Sequence, residues 1–338
     1  MTEAARATRG QQPGIEIVEP GLQATVQEHP GRTGMLGQGF FPSGAMDSLA
    51  MRAANILAGN AQNAAGIEVT LGNFAMRVVH RDSVVAVCGA DAEVTVDGEP
   101  LPTWQSRRMP AGSELRIAIS TGPGFRLYVA VGGGIDVPPV FGSRATYTMG
   151  ALGGYEGRPL AKGDRLALGP DGGGPSPRRW RPDVRPDYAR EWEIEAMRGP
   201  QAAPDFLTDG DMETFFTRAW AVDRNSDRTG VRLASQRFEF ARSSGGVAGG
   251  HPSNILDNPY PVGGVNINGD MPVILGPDGP TAGGFIVAAT IVQAGLWKLG
   301  QLRPIGDRVR FREVSAEEAV ELDAQLDALL SENSLEDA

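Results

Sequence analysis

Glu93-Val94-Thr95-Val96-Asp97-Gly98 is the stretch that decides the fold. Over residues 93–96 polar and apolar side chains alternate with period two, the pattern of a strand with one buried face. Asp-Gly then supplies the two positive-φ positions of a tight hairpin turn. Working outward, comparable short apolar runs cover residues 15–18, 83–87, 114–119, 126–131, 273–275, 285–292 and 308–311. Turn residues bound them, and the chain holds 46 Gly and 25 Pro. These runs predict a mainly β protein built as sandwiches or closed barrels. Helices are few. Residues 47–58 carry Leu49, Ala53, Ala54 and Leu57 on one face and stop at Gly59. Ser315-Ala316-Glu317-Glu318 is a capping box opening a helix with the stripe Leu322, Leu326, Leu329. A third helix is predicted near residues 211–218.

The 338 residues suffice for one large or two ordinary domains, and 41% hydrophobic with 21% charged residues describe a packed globular chain. Net charge is −10, from 31 Lys and Arg against 41 Asp and Glu. This argues against nucleic acid or an anionic membrane as partner. The one cysteine, Cys88, follows the apolar run 84–87, so no intrachain disulfide or Cys-rich metal site can form. It reads as a small buried hydrophobe, with a nucleophile as the minor alternative. The polar start of the chain lacks a signal-peptide core, and no window approaches eighteen apolar residues, so a cytoplasmic protein is expected.

The expected division is a disordered segment 1–13, a first β domain 14–168, a Gly/Pro-rich linker 169–190, a second β domain 191–312, and a helix with an acidic tail 313–338. Arg-Thr-Gly recurs at residues 32–34 and 228–230, followed each time by Pro-Ser at 42–43 and 252–253. The echo suggests two related domains in tandem.

Chemistry is expected in the second half. His251-Pro252-Ser253-Asn254-Ile255-Leu256-Asp257-Asn258-Pro259-Tyr260 concentrates imidazole, amides and a carboxylate in what reads as a loop. His251 can serve as acid, base or anchor. Asn254, Asp257, Asn258 and Tyr260 suit either a small ligand rich in N–H and C=O groups or an Asx-turn network. Asn268 and Asp270 precede the apolar run 271–275, and Asp278 follows it within a plain turn sequence. Gly283-Gly284 reads as backbone N–H groups facing an oxyanion or as a tight turn. In the first half, Ser43 or Asp47 is the expected N-cap of the first helix. Gly132-Gly133-Gly134 is not a phosphate loop, because no Gly-Lys-Ser/Thr follows. No metal-ligand spacing is present.

Several motifs together resemble one family. Residues 24–32, ATVQEHPGR, are similar to the TTVQDxPGR signature of biotin-dependent carboxyltransferases. Pro42-Ser43-Gly44-Ala45-Met46-Asp47 matches PSGxMD, and VAVGGGIDV at 129–137 with Gly142-Ser143-Arg144 matches AGGIDVPxxxGSR. The family includes the allophanate hydrolase subunit 2 type and the C-subunit type of 5-oxoprolinase. HPSNIxDNxY, GDMPVILGPDGPxxGGF and LWKxGQLRPGD resemble the carboxyltransferase domain of urea carboxylase. The resemblance implies tandem cyclophilin-like β barrels. It implies a partner of the allophanate hydrolase subunit 1 type that completes the site, together with biotin carboxylase and biotin carrier subunits, since this chain has no Met-Lys-Met motif or ATP site. The implied reaction transfers CO2 from carboxybiotin to a small amide-like nitrogen. His251, Asp257 and Asn254 are then expected as catalytic residues, and Asn258, Tyr260, Asp278, Gly284 and Asn268 as substrate-binding ones. The alternative is an amidohydrolase subunit without biotin. Glu28, Leu256, Ala282 and Ile305 depart from the pattern. Leu256 stands where a second histidine is common, which points toward guanidine or another urea-like amide beside urea itself.

Overall fold

The computed structural model describes residues 12–170, 174 and 176–338, so most of the segment expected to be disordered lies outside the described residues. The chain forms two compact units. The first takes the chain up to Thr33, then Ser43–Tyr188 and Ala328–Ala338; the second takes Gly34–Pro42 and Ala189–Asp327. The protein is mainly β, with three α-helices among the described residues: α1 Ser48–Leu57, α2 Asp209–Thr217 and α3 Ala316–Leu329.

The first unit has two seven-stranded sheets. One runs Ile135–Asp136, Arg165–Leu168, Gly14–Pro20, Phe74–Val79, Glu114–Ile117, Val94–Val96, Glu99–Pro100. The other runs Gln23–Gln27, Gly66–Thr70, Arg126–Val131, Ser83–Gly89, Gln105–Met109, Arg178–Trp180, Leu335–Asp337. Ile15, Ile17, Met76 and Leu115 of the first sheet share a core with Val26, Ile67, Val87 and Val129 of the second. Each such side chain contributes about 1.5–3 kcal/mol by burial. Asp97 (φ 51°) and Gly98 (φ 88°) turn the predicted hairpin between Val96 and Glu99. Ser83–Gly89 is buried at every residue because α1 packs against it and against Arg126–Val131. A strand covered on both faces reads as a continuous apolar run rather than an alternating one. Cys88 sits in that strand; burial pushes its thiol well up, so it is a packed hydrophobe.

In the second unit seven strands run Trp220–Ala221, Arg308–Glu313, Glu191–Arg198, Val287–Ile291, Gly264–Asn268, Met271–Leu275, Gly230–Arg232. Its two end strands are joined by a Val222–Leu233 bridge, with Asp223 N–H donating to Arg232 C=O at 2.8 Å and Ala234 N–H to Ala221 C=O at 2.9 Å. The sheet is thereby closed into a barrel, which removes its edges. Thr208 caps α2 through a full capping box with Asp211. From α2, Phe215 stacks on Phe311 at 4.6 Å and seats the helix on the barrel.

Where a linker was expected, Arg178–Trp180 forms a strand, paired on one side with Gln105 and on the other with Leu335–Asp337. Trp180 is 1% exposed and lies edge-on to Trp104 at 6.3 Å. The end of the expected acidic tail therefore belongs to the first unit, with Leu330 and Leu335 buried. Flanking Arg, Pro and acidic residues hide the three apolar side chains that cause this. Ser315 caps α3 as predicted, its hydroxyl accepting Glu318 N–H at 3.2 Å; the Leu322, Leu326, Leu329 stripe is only half-buried.

Candidate functional site

The three first-half motifs meet in one buried knot. Gly44 N–H donates to Gln27 Oε1 at 3.1 Å, and Arg144 N–H donates to Glu28 Oε1 at 2.9 Å. Arg32, 2% exposed, donates to Val140 C=O at 3.2 Å and Ala145 C=O at 3.0 Å. Glu28 thus holds the Gly-Ser-Arg backbone through its carboxylate. Asp47 is the N-cap of α1, accepting Ala50 N–H at 2.8 Å and the Tyr188 hydroxyl at 3.0 Å, so Ser43 is not the cap. Tyr128 O–H donates to Glu68 at 2.8 Å and accepts Asp47 N–H at 2.7 Å. Burial, with Glu68 and Asp47 beside it, pushes that phenol well above its usual range. These polar groups bond to one another, and their role is to fix the backbone of the motifs. The triple glycine is a tight turn: a side chain on Gly133 would lie 2.4 Å from Gly169 C=O. A cavity of about 1070 Å³ also opens in this unit beside Gly14, His80, Asp136, Tyr155 and Arg165, and none of the residues expected to be functional lines it.

The second-half stretch is not the free loop that its polarity suggests. After a turn at 251–253 it becomes the strand Asn254–Pro259, paired antiparallel with Ala282–Phe285 and bulged between Asn254 and Asn258. Gly283 and Gly284 lie in that partner strand, neither a turn nor an oxyanion nest. They are small because a side chain on Gly283 would meet the Tyr260 ring at 2.6 Å and one on Gly284 would meet Ile255 C=O at 3.0 Å. Tyr260 is 3% exposed, and its hydroxyl accepts Phe285 N–H at 2.7 Å and donates to Phe285 C=O at 3.0 Å. Its role is to clamp the two strands.

Other expected residues are occupied too. Asp278 is 4% exposed and holds Arg228 through two bonds, 2.7 and 3.2 Å. This buried ion pair gives Asp278 a place in the fold that its turn sequence did not show. Asn258 Oδ1 accepts from Gln201 at 3.3 Å, while its amide donates to Pro259 C=O at 2.9 Å. Asn268 stands exposed at the end of its strand, and Asp270 Oδ1 accepts Phe238 N–H at 3.3 Å.

What remains is a small set around the 251–254 turn. Ser253, fully buried, places its hydroxyl 2.8 Å from His251 Nδ1, and its own N–H points to the same nitrogen at 3.2 Å. Ser253 Oγ in turn accepts Gly269 N–H at 3.1 Å, and the Ser253 N–H can only donate to Nδ1. Nδ1 is therefore the acceptor, and Nε2 carries the imidazole proton. The ring is held edge-on to Phe240 at 5.4 Å. Asn254 has its backbone bonded on both sides, whereas its side-chain amide has no partner among the described residues. Gly249, at φ 129°, makes room for that amide: a side chain there would lie 2.7 Å from Asn254 Nδ2. Asp257 is exposed on the bulge, with Oδ1 accepting Asn258 N–H at 3.0 Å, and the adjacent Leu256 is 74% exposed. The set offers two side-chain donors, from His251 and Asn254, and one carboxylate.

Ser253 and Phe240 escape a reading by residue type, because one passes for a turn residue and the other for core. The His-Pro-Ser spacing is the one signal that could have found Ser253. Among the described residues no group of three His, Cys, Asp or Glu is placed to hold a metal, and no helix is long and apolar enough to cross a membrane.

Fold and site together define a mainly β protein whose 251–254 turn and following strand carry side-chain donors and an exposed carboxylate. The family model for the carboxyltransferase domain, subdomains A and B, matches residues 38–313, and the chain belongs to that family. It is 40% identical over 322 residues to urea amidolyase of Saccharomyces cerevisiae, covering 94% of this chain and 17% of that one. It is 32% identical to the C-subunit of 5-oxoprolinase from Escherichia coli, covering 90% of this chain and 93% of that one. The crystal structure of Kluyveromyces lactis urea amidolyase superposes with a TM-score of 0.90 at 37% identity, over 97% of this chain and 20% of that chain. The chain thus spans about a fifth of the length of the urea amidolyases it resembles.

Proposed function

We propose that this chain is the carboxyltransferase component of a biotin-dependent carboxylase that acts on urea, guanidine or a related small amide. The observation that supports this reading best is the 251–254 turn: a motif of the urea carboxylase pattern whose His251 and Asn254 keep their donors free, followed along the strand by an exposed Asp257. Carboxybiotin, delivered on a separate carrier, supplies the carboxyl group when bound. The free donors suit its carboxyl and ureido oxygens, which accept hydrogen bonds and donate none.

Within this reading each residue has a task set by its proton inventory. His251 presents Nε2–H to a carbonyl oxygen, so it stabilises developing negative charge rather than removing a proton. Asn254 orients the substrate through its amide. Asp257 accepts a substrate N–H and holds the nucleophilic nitrogen in line, a positioning effect. Asn258, Tyr260 and the Arg228–Asp278 pair keep the supporting strands in place. A partner of the allophanate hydrolase subunit 1 type, a biotin carboxylase and a carrier complete the assembly in the cytoplasm.

The test is affinity purification of the chain from its native cell, a streptavidin blot of what co-elutes, and assay of the complex with bicarbonate, ATP and urea or guanidine. A biotinylated partner and amide-dependent carboxylation are expected. Co-elution of a small first-subunit homologue alone, with ATP-dependent amide hydrolysis, overturns the reading in favour of the 5-oxoprolinase type.

A further inference from the structure

The 251–254 turn is held from behind by a residue that residue type did not single out. Arg242 Nε donates to Pro252 C=O at 2.8 Å, and Nη2 donates to Asn254 C=O at 2.6 Å. Its guanidinium lies over the Phe206 ring at 4.4 Å from the centroid. Phe206 C=O accepts Ala241 N–H at 3.0 Å, which ties the stacked ring to the neighbouring backbone. The preceding residues are fixed by one buried carboxylate: Asp211 accepts Glu239 N–H at 2.9 Å and Phe240 N–H at 3.0 Å, holding Phe240 at φ 54°.

Arg242 is half-buried, yet among the described residues no carboxylate pairs with it. Burial lowers its guanidinium from the usual range, and no neighbouring charge offsets that. Arg228, in the same unit, has its acid in Asp278. A desolvated charge is costly unless it is paired. Of the five N–H groups of Arg242, two are engaged by the turn carbonyls, leaving three. By gripping the carbonyls of Pro252 and Asn254, Arg242 brings its guanidinium to the same short turn that carries the His251 and Asn254 side chains. Arg242 thus adds positive charge and N–H donors to this turn with no carboxylate paired to it among the described residues.

We propose that Arg242, with His251 and Asn254, forms a carboxylate subsite that binds the carboxyl group of an N-carboxylated amide. The inference rests on the carboxyltransferase reading for the identity of the ligand, and names what the turn recognises. Planar guanidinium and carboxylate groups match in geometry, and a lysine cannot both grip two carbonyls and stack on Phe206 in this way. Asp257, exposed on the bulge, would meet the N–H end of the same ligand.

The experiment measures binding of malonamate to the full chain by calorimetry, with malonamide as its neutral counterpart. Malonamate is the stable methylene analogue of an N-carboxylated urea. Malonamate is expected to bind at least tenfold more tightly than malonamide. In Arg242→Gln that preference falls by tenfold or more. Arg242→Lys keeps part of it, and Asn254→Asp, which adds a negative charge, abolishes it. Circular dichroism and thermal melting establish that each variant is folded; should Arg242→Gln unfold, Arg242→Lys and Asn254→Asp carry the test. Equal affinity for the two probes, no binding of malonamate, or an unchanged preference in folded Arg242→Gln and Asn254→Asp overturns the subsite. A complex without carboxyl transfer whose chain still prefers malonamate supports the subsite and removes the reading of the activity. Transfer at wild-type kcat and KM in the Arg242→Gln complex removes the subsite alone.

Discussion

His251 and Ser253 act as one unit, because the Ser253 hydroxyl and N–H both meet the imidazole Nδ1. Ser253→Ala is expected to release the imidazole from a single tautomer, which 15N shifts of the His251 ring will register, and to lower kcat more than it raises KM. A ring that stays wholly Nε2-protonated in the variant would assign the tautomer to the Ser253 N–H alone. Asp278 carries a different expectation. Its buried pair with Arg228 is structural, so Asp278→Ala should destabilise the barrel by about 3–5 kcal/mol, read by chemical denaturation. Full stability with lost turnover would instead return Asp278 to the site. Tyr128 sets a pH dependence. Burial raises its phenol above the ordinary tyrosine value, and Glu68 and Asp47 raise it further. The unfolded chain therefore releases this proton first, and stability falls as pH rises above about 10, being unaffected below it. Tyr128→Phe should make that alkaline limb shallower in pH-dependent melts, with Cys88 and Tyr188, also raised by burial, supplying the rest.

The capping box of α2 is the element-scale counterpart of this fixing. Thr208 Oγ1 accepts Asp211 N–H at 3.1 Å, and Asp211 accepts Thr208 N–H at 3.0 Å while also holding Glu239 and Phe240. Thr208→Ala should cost about 1 kcal/mol. Asp211→Ala should cost more and also loosen the Phe240–His251 contact, seen as a larger loss of activity than in Thr208→Ala at a temperature where both variants are fully folded. Elements of this kind show how far the sequence is legible. The hairpin at Asp97-Gly98, α1 and the capped start of α3 follow from local patterns, because turn chemistry and helix periodicity act within a few residues. The strand Asn254–Pro259 did not, since its partner Ala282–Phe285 is distant and its side chains are polar. Asp278 looked like a turn residue because the arginine that pairs with it lies fifty positions away. Residue type marked His251, Asn254 and Asp257, yet which donors stay free depends on contacts that no local pattern encodes.

At the scale of the molecule, the two units draw on distant parts of the chain. The first unit is completed by Ala328–Ala338, whose strand Leu335–Asp337 covers the edge made by Arg178–Trp180. Arg179 reinforces the pairing through Glu336 at 2.7 Å, an exposed contact worth little by itself. Burial of Leu330 and Leu335 contributes more, about 1.5–3 kcal/mol each. Removing residues 330–338 should therefore destabilise the first unit by roughly 3–6 kcal/mol on the same scale and bare the edge of Arg178–Trp180. The barrel of the second unit closes on itself through Val222 and Leu233, and that strand takes no part in the closure. Hydrogen exchange read segment by segment is then expected to quicken in Ser83–Gly89, Gln105–Met109 and Arg178–Trp180, while Gly264–Asn268 and Val287–Ile291 keep their protection. Equal loss of protection in both units would mean that they unfold together, and the closed barrel would not be an independent folding unit.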